Sequence, residues 1–446
     1  MESIQNFDFF RLHFDENGSP VNQQELQDLE QRAQSAGATD AIFLAHGFRN
    51  SEDDATNLYT RFLTTFRAHV DGAFHGSLGP RKYVVAGVYW PSKPFQEVED
   101  FAGSTEAADP ADAQKEAARL TLEDLKAHDA NAAQQPRIQR AIELLDQLEG
   151  SPNAQDEFVD LVLSLWDGTQ LDPTEGADKI RAQDGSALLE KLGTPVILPT
   201  AAAGEGGAAA AAPVFVGEAE GGAEGLGSFF VSIFGRVGQF LNLALWYVMK
   251  NRSGVVGANG VAQGIRGFKA ALPNVKVHLV GHSLGGRLMA SCAKALTVAP
   301  AVQPDSLTLL EAAFSHYGFS PDNGEGQPGF FRDVVASKVV KGPLVATFSM
   351  QDTVVGTVYA IASRLAGDNV KAIGDAGDPF GGIGRNGAQK TAEAVFSPLL
   401  KSGTGAYRFA AGKVACLDGS GGLITDHGDV TNPNVTYAFA SALAQT

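Results

Sequence analysis

Cysteine is nearly absent. The chain of 446 residues holds two, Cys292 and Cys416, which excludes a disulfide framework and a cysteine-based zinc site. Basic charge is also in short supply: 34 Lys and Arg stand against 51 Asp and Glu, a net charge of −17. Nucleic acid and anionic membrane surfaces need basic patches to neutralise phosphate, so neither is expected as the main partner. The acidity reads as a solubility feature. The opening M-E-S-I-Q-N-F-D-F-F lacks a basic segment followed by an apolar stretch, so a cytoplasmic location is the expectation. No internal repeat is visible. No spacing of potential ligands marks a metal site; Asp426, His427 and Asp429 could hold a cation in principle but are too sparse a set to be preferred as a site.

What is present is a globular apolar content of 44%, enough for one large α/β domain with an insertion, or for two or three domains. An edge strand is predicted over 9–14 and a polar amphipathic helix over 21–36, closed by Gly37. A compact apolar strand over 41–45 follows, ending in His46-Gly47-Phe48. Ser51, with acids at Glu52, Asp53 and Asp54 behind it, is the N-cap of a helix through about residue 70, and 83–90 is a buried-type strand. Strand, helix, strand with short connections is the pattern of a doubly wound, mostly parallel sheet. The alternation then stops. Asp109-Pro110 opens a charged helix, Ile138, Ile142 and Leu145 share a helical face, and Phe158, Leu161, Val162 and Leu165 form another, so 96–200 is read as a helical insertion. The Ala, Gly and Glu tract over 201–227 is read as a flexible linker, because it cannot bury enough surface to order itself. An apolar segment at 228–252 follows. Arg236, Gln239, Asn242 and two glycines over 228–249 argue against a membrane span, leaving a buried crossover helix or an apolar lid that contacts interfaces. Segments 1–95 and 253–446 are then two parts of one core, the second with strands at 307–313 and 344–350, a helix at 353–366, a strand within 407–417 and a terminal helix at 434–444.

Residues 275–287 read V-K-V-H-L-V-G-H-S-L-G-G-R, an alternating strand, then G-x-S-x-G, then a helix-like segment. This is the form of a nucleophile elbow, a sharp strand-to-helix turn that pushes a serine hydroxyl into a site. A serine hydroxyl needs a base to take its proton, an acid to orient that base, and donors for the developing oxyanion. On such a scaffold the order is Ser, acid, His. Asp352 lies in the loop after the 344–350 strand, at the carboxyl edge where open α/β sheets place catalysis, and it could also cap the next helix. Glu311 is the second candidate acid; Asp375 and Asp378, in a Gly-rich loop, come after it. His427, in T-D-H-G-D, is the expected base. His316 precedes Asp352 and is read as a pocket or packed loop histidine. Leu284 and Phe48 supply the expected oxyanion N–H groups, with Gly47 allowing close approach. A G-x-G-x-x-G string at 382–387 follows Asp378-Pro379-Phe380 and not a strand, so it is read as a loop and not as a dinucleotide site.

H-G-F at 46–48, G-H-S-L-G-G-R at 281–287, S-M-Q-D at 349–352 and D-H-G-D at 426–429 resemble the α/β-hydrolase superfamily. V-Y-W-P-S at 88–92 and H-S-L-G-G-R are similar to a bacterial branch of esterase/lipase-like hydrolases. The resemblance covers about 1–95 and 250–446. It implies an α/β-hydrolase fold and a Ser283–Asp352–His427 triad; the chain departs from the superfamily's pattern in the segment between the fourth strand and the helix before the elbow, which is far longer than usual and is read as the helical insertion. It also implies an acyl-enzyme mechanism, no cofactor and a small-molecule ester as partner. His46, Gly47, His282, Phe314 and His316 are expected to line the substrate, and aromatic segments near 229–240 and 314–319 suggest an apolar ester moiety. A serine peptidase, an acyl transferase and a non-catalytic binding protein on the same fold remain the alternatives.

Overall fold

The computed structural model describes residues 2–92, 110–128, 133–166, 172–193, 232–366 and 376–446. The predicted linker at 201–227, together with Asp109, Phe229, Phe230 and Asp375, lies outside the described residues. Nine strands form one sheet: β1 Glu2–Ile4, β2 Phe7–His13, β3 Asp40–Ala45, β4 Tyr83–Tyr89, β5 Lys276–His282, β6 Ser306–Leu310, β7 Leu344–Phe348, β8 Ala394–Pro398 and β9 Val414–Asp418. Their order is β1-β2-β4-β3-β5-β6-β7-β9-β8. β1 runs antiparallel to β2, and every other pair is parallel. All residues of β3, β4, β6 and β7 are buried, which is why these strands read as continuous apolar runs: helices cover both faces of a parallel sheet.

β2 was expected at the edge, but the three-residue β1 lies outside it. Glu2-Ser3-Ile4 is too short to carry a periodic signal. β8 is the second strand without a sequence expectation; it forms the opposite edge, and Val395 and Phe396 are half exposed. Helix starts follow their caps. Asn22 caps Gln23–Ala36, Ser51 and Asp54 form a reciprocal capping box on Glu52–Asp71, and Asn432 caps Pro433–Ala444.

The two faces of the sheet differ. Helices Glu52–Asp71 and Pro433–Ala444 pack Leu58, Phe62, Phe66 and Phe439 against one side. On the other side a single larger core joins the helix Leu284–Leu296, the insertion helices and the long helix Ile233–Val255. The insertion helices are Pro110–His128, Gln135–Leu144, Pro152–Leu163, Ala177–Arg181 and Gly185–Leu192. Phe158 and Trp166 belong to that same core, so the insertion thickens one layer of the sheet structure and has no separate centre.

Ile233–Val255 resolves the lid-or-crossover alternative. Phe234, Val237, Phe240, Leu241, Leu245 and Tyr247 are buried along it. A π-helical turn, Val256–Val261, then carries the chain into the helix Ala262–Ala271 and on to β5. Over Ile233–Val255 the segment is a crossover helix with most of its apolar side chains buried; residues 228–231 of the predicted segment lie outside the described residues. Among the described residues no helix is long and apolar enough to cross a membrane.

The helix after β3 lies on one face and the helix after β5 on the other, although β3 and β5 are neighbours. The connections therefore diverge there, the position at which open α/β sheets take ligands at the carboxyl ends of their strands. Ala45 pairs with Gly281 at that end, which brings His46-Gly47-Phe48 beside His282-Ser283.

Candidate active site

Ser283 sits between β5 and the helix Leu284–Leu296 with φ 56° and ψ −124°. A non-glycine residue in that region carries about 1–3 kcal/mol of strain and persists only where its surroundings over-determine it. They do here. Its N–H donates to the Leu310 carbonyl at 3.0 Å, and its own carbonyl accepts from Gly286 and Ala313 at 3.0 Å and from Arg287 at 3.3 Å. The turn also needs its flanking glycines. A Cβ on Gly281 would stand 2.1 Å from the Gly285 carbonyl oxygen, and one on Gly285 would stand 2.3 Å from that of Ala45. Leu284 opens the helix, so its N–H is one of the first-turn donors without an intrahelical acceptor.

The loop after β3 presses directly on the serine. A Cβ on Gly47 would lie 2.8 Å from Ser283 Cβ and 3.3 Å from Oγ. Phe48 is half-buried, with the Arg49 guanidinium 5.4 Å over its ring, and its carbonyl accepts from Asn50 Nδ2 at 2.8 Å.

Asp352 has partners for both of its oxygens. Oδ1 accepts from the Val355 N–H at 2.9 Å and caps the helix Thr353–Leu365, while Oδ2 accepts from His427 Nδ1 at 2.8 Å. The carboxylate is fully buried and the imidazole 14% exposed. Because Nδ1 donates, Nε2 is left as the acceptor, the tautomer a general base requires. His282 holds this arrangement from behind. Its Nε2–H donates to the His427 carbonyl at 2.8 Å and the two rings are 4.7 Å apart. Burial, reinforced by the neighbouring His427, pushes the His282 pKa down to about 3, so it is a neutral donor. Among the described residues the Ser283 hydroxyl makes no hydrogen bond. His427 and Ser283 are thus brought into one neighbourhood through His282 without a formed bond between them.

The other candidate acids are placed differently. Glu311, fully buried at the end of β6, accepts from Thr347 Oγ1 at 3.0 Å through Oε1, and its Oε2 has no partner. Burial and the charge of Asp352 push its pKa far up, so it stays a neutral acid beside the Asp352–His427 pair. Asp378 spends Oδ1 on Ser363 Oγ and the Phe380 N–H, both at 2.8 Å.

Three expected substrate-lining side chains are structural instead. Phe314 is fully buried, with ring centroids 5.5 Å from Phe319 and 4.7 Å from Phe331, so its face is occupied by core. His316 is buried against Gly381 and accepts from Asn386 Nδ2 at 3.2 Å. His46 stacks on Trp90 at 5.6 Å and turns Nδ1–H onto the Gly47 carbonyl at 3.0 Å. Burial takes its pKa down to about 4. Its ring is thereby committed to the loop that it opens. The apolar-moiety expectation weakens for the same reason: Phe234, Phe240, Phe314 and Phe319 all belong to the core.

Neutral buried histidines fix the sign of the acid response. His46, His282 and His316, at about 4, 3 and 3, lie below the ordinary value of 6.5, so below pH 6.5 the unfolded chain binds protons that the folded chain refuses. Asp172, raised to about 6, and Glu311 act in the opposite sense but are fewer. Stability should therefore fall between pH 6.5 and about 4, by about 1.4 kcal/mol per pH unit for each unbalanced proton. Urea unfolding should show a lower midpoint at about pH 5 than at about pH 7; an equal or higher midpoint contradicts this assignment.

One group escaped the sequence reading altogether. Lys250, on Ile233–Val255, is ion-paired to Glu175 of the insertion and donates to Tyr359 OH at 2.8 Å. Tyr359 in turn donates to Glu175 Oε1 at 2.8 Å, and the Ser315 N–H reaches the same oxygen at 3.0 Å. No local signal marks it, because the partners lie far apart in sequence and each alone looks like a surface charge. Comparison of the chain with family models, with curated proteins and with solved structures finds no match.

Proposed function

We propose that the protein is a serine hydrolase that cleaves carboxylic esters through an acyl-enzyme. The observation that carries this reading is the strained backbone of Ser283 where the connections after β3 and β5 diverge, with a buried Asp352 holding His427 in the base tautomer next to it. Ser283 Oγ attacks the ester carbonyl while His427 Nε2 takes its proton. Asp352 stabilises the imidazolium, and the N–H groups of Leu284 and Phe48 receive the oxyanion, each contributing on the order of 3 kcal/mol to the barrier. Collapse expels the alcohol, which carries away the proton from His427. Water, activated by the same histidine, attacks the acyl-serine and releases the acid. The reaction draws on side chains and backbone donors, with no cofactor in any step. Ester in preference to amide rests on the commonest chemistry of the resembled superfamily, and the preferred acyl size on a chain-length panel of p-nitrophenyl esters.

The test is covalent. A fluorophosphonate probe should label the folded wild type at one site, mapped to Ser283 by peptide mass spectrometry, and Ser283→Ala should take no label. A folded wild type that stays unlabelled, or a Ser283→Ala variant that still labels, overturns the proposal in favour of a binding protein on this scaffold or a different centre.

A further inference from the structure

The G-x-G-x-x-G string at 382–387, set aside as a loop in the sequence, occupies a particular place. It lies across the carboxyl ends of β6 and β7. The Gly384 N–H donates to Ala312 O at 3.0 Å and the Ile383 N–H to Phe314 O at 2.9 Å, while the Ser349 N–H donates to Gly384 O at 3.0 Å. One short segment thus laces the exit of β6 to the turn that carries Asp352. From its centre Arg385, 2% exposed, sends Nη1 onto two carbonyls of that turn, those of Met350 and of Asp352, the latter at 3.1 Å. The guanidinium stem runs against Gly356 of the helix that Asp352 caps. A Cβ there would lie 2.9 Å from Arg385 Cδ and 3.2 Å from both Nε and Nη1.

We infer that Arg385 is a positioning residue for the catalytic acid: its guanidinium fixes the main chain of Asp352 so that the carboxylate leaves the sheet toward His427 Nδ1. The inference rests on the triad reading above and extends it to a residue that touches neither substrate nor reacting atoms. The physical argument is one of constraint. Asp352 Oδ1 and Oδ2 are already committed to Val355 and His427, so the direction of the carboxylate depends on where its backbone is held. Two carbonyls two residues apart need a donor that can serve both, and a planar guanidinium locked in a buried slot does this without the freedom of an ammonium. The missing side chain of Gly356 keeps that slot open. The string therefore marks a clamp on the acid turn, built from glycines that permit close packing and one arginine.

Three variants test it. Arg385→Met should lower kcat on a p-nitrophenyl ester by about 10²-fold with KM little changed, the cost of a misplaced group in a committed geometry. Arg385→Lys, keeping charge and one donor, should recover part of that loss. Gly356→Ala closes the slot from the other side. Alanine ordinarily stabilises a helix interior relative to glycine, so a fall in kcat without a fall in melting temperature separates positioning from folding, and this variant decides the matter if Arg385→Met does not fold. The direct readout is the downfield proton resonance of His427 Nδ1–H in the resting protein, which the wild type should show and Arg385→Met and Gly356→Ala should lose or shift. Wild-type turnover together with an unmoved resonance in Gly356→Ala and Arg385→Met overturns the inference. A wild type that cleaves no ester and takes no fluorophosphonate defeats the hydrolase reading instead, and the resonance then still decides whether Arg385 orients Asp352.

Discussion

Replacing Asp352 with Asn should lower ester turnover by about 10⁴-fold while leaving stability almost unchanged. The two halves of the expectation come from the two oxygens of one carboxylate. Oδ1 caps the helix Thr353–Leu365 through the Val355 N–H, and Asn caps a helix about as well as Asp. With its carbonyl oxygen kept in that role, the new amide nitrogen occupies the place of Oδ2 and faces His427 Nδ1. It donates where the carboxylate accepted. The imidazole must then present a bare Nδ1 to it and carry its proton on Nε2, which can no longer take one from Ser283. Loss of the correct tautomer in a serine–histidine–acid system costs about 10⁴ in kcat with the geometry intact. The single substitution thus separates the capping role, which any helix start could explain, from the catalytic role, which a cap does not need. Steady-state kinetics beside urea unfolding reads both. Turnover within about tenfold of wild type, or a loss of stability that tracks the loss of activity, would leave Asp352 as a cap only. Neutral Glu311 does not replace it, because a protonated acid offers no carboxylate to hold an imidazolium.

The sequence marked the positions of Ser283, Asp352 and His427 at element ends for a physical reason. Ser283, Asp352 and His427 each stand where a strand or helix must end, and the residues that end elements are read from local chemistry: glycines at the elbow, an N-cap before Thr353, a turn-rich loop before Asn432. The central strands were equally plain, since burial on both faces writes a continuous apolar run. Side-chain destinations were not. His282 precedes the serine and His46 opens the H-G-F loop after β3, and those positions suggested a shared role at the substrate. Whether an imidazole faces a ligand or a carbonyl depends on partners such as Trp90 and His427. Phe314 misled for the same reason, since an aromatic near a catalytic loop serves the core as readily as a pocket. β1 and β8 were missed because the edges of a sheet need neither length nor an apolar face. Arg385 was invisible because its bonds are to main-chain carbonyls, and a backbone acceptor leaves no trace in residue identity.

Lys250→Met should be the most destabilising single change outside the elbow, at about 3–5 kcal/mol, and the loss should be partly undone by a second substitution at Glu175. Lys250 is fully buried and Glu175 2% exposed. Burial pulls the lysine pKa down to about 8, against the pull of Glu175 that holds it up, so the ammonium is largely charged at neutral pH. Its charge also lies 3.9 Å over the Trp246 ring. Removing it leaves the Glu175 carboxylate with only neutral donors, Tyr359 OH and the Ser315 N–H, and stranding one member of a buried pair costs far more than deleting both. In a double-mutant cycle, Lys250→Met with Glu175→Leu should therefore lose less than the two single losses combined, with a coupling of about 0.5–3 kcal/mol. The position of the network ties this energy to the site. Tyr359 lies on the helix that Asp352 caps, and Arg287, on the helix behind Ser283, donates to the Lys250 carbonyl at 2.7 Å. The insertion is thereby fastened at once to the helix that Asp352 caps and to the helix after Ser283, so on the proposed function the single variant should lose turnover along with stability while the double variant recovers some of each. Additive losses in the cycle would mean that the pair is not coupled and that the insertion is held by its apolar contacts alone.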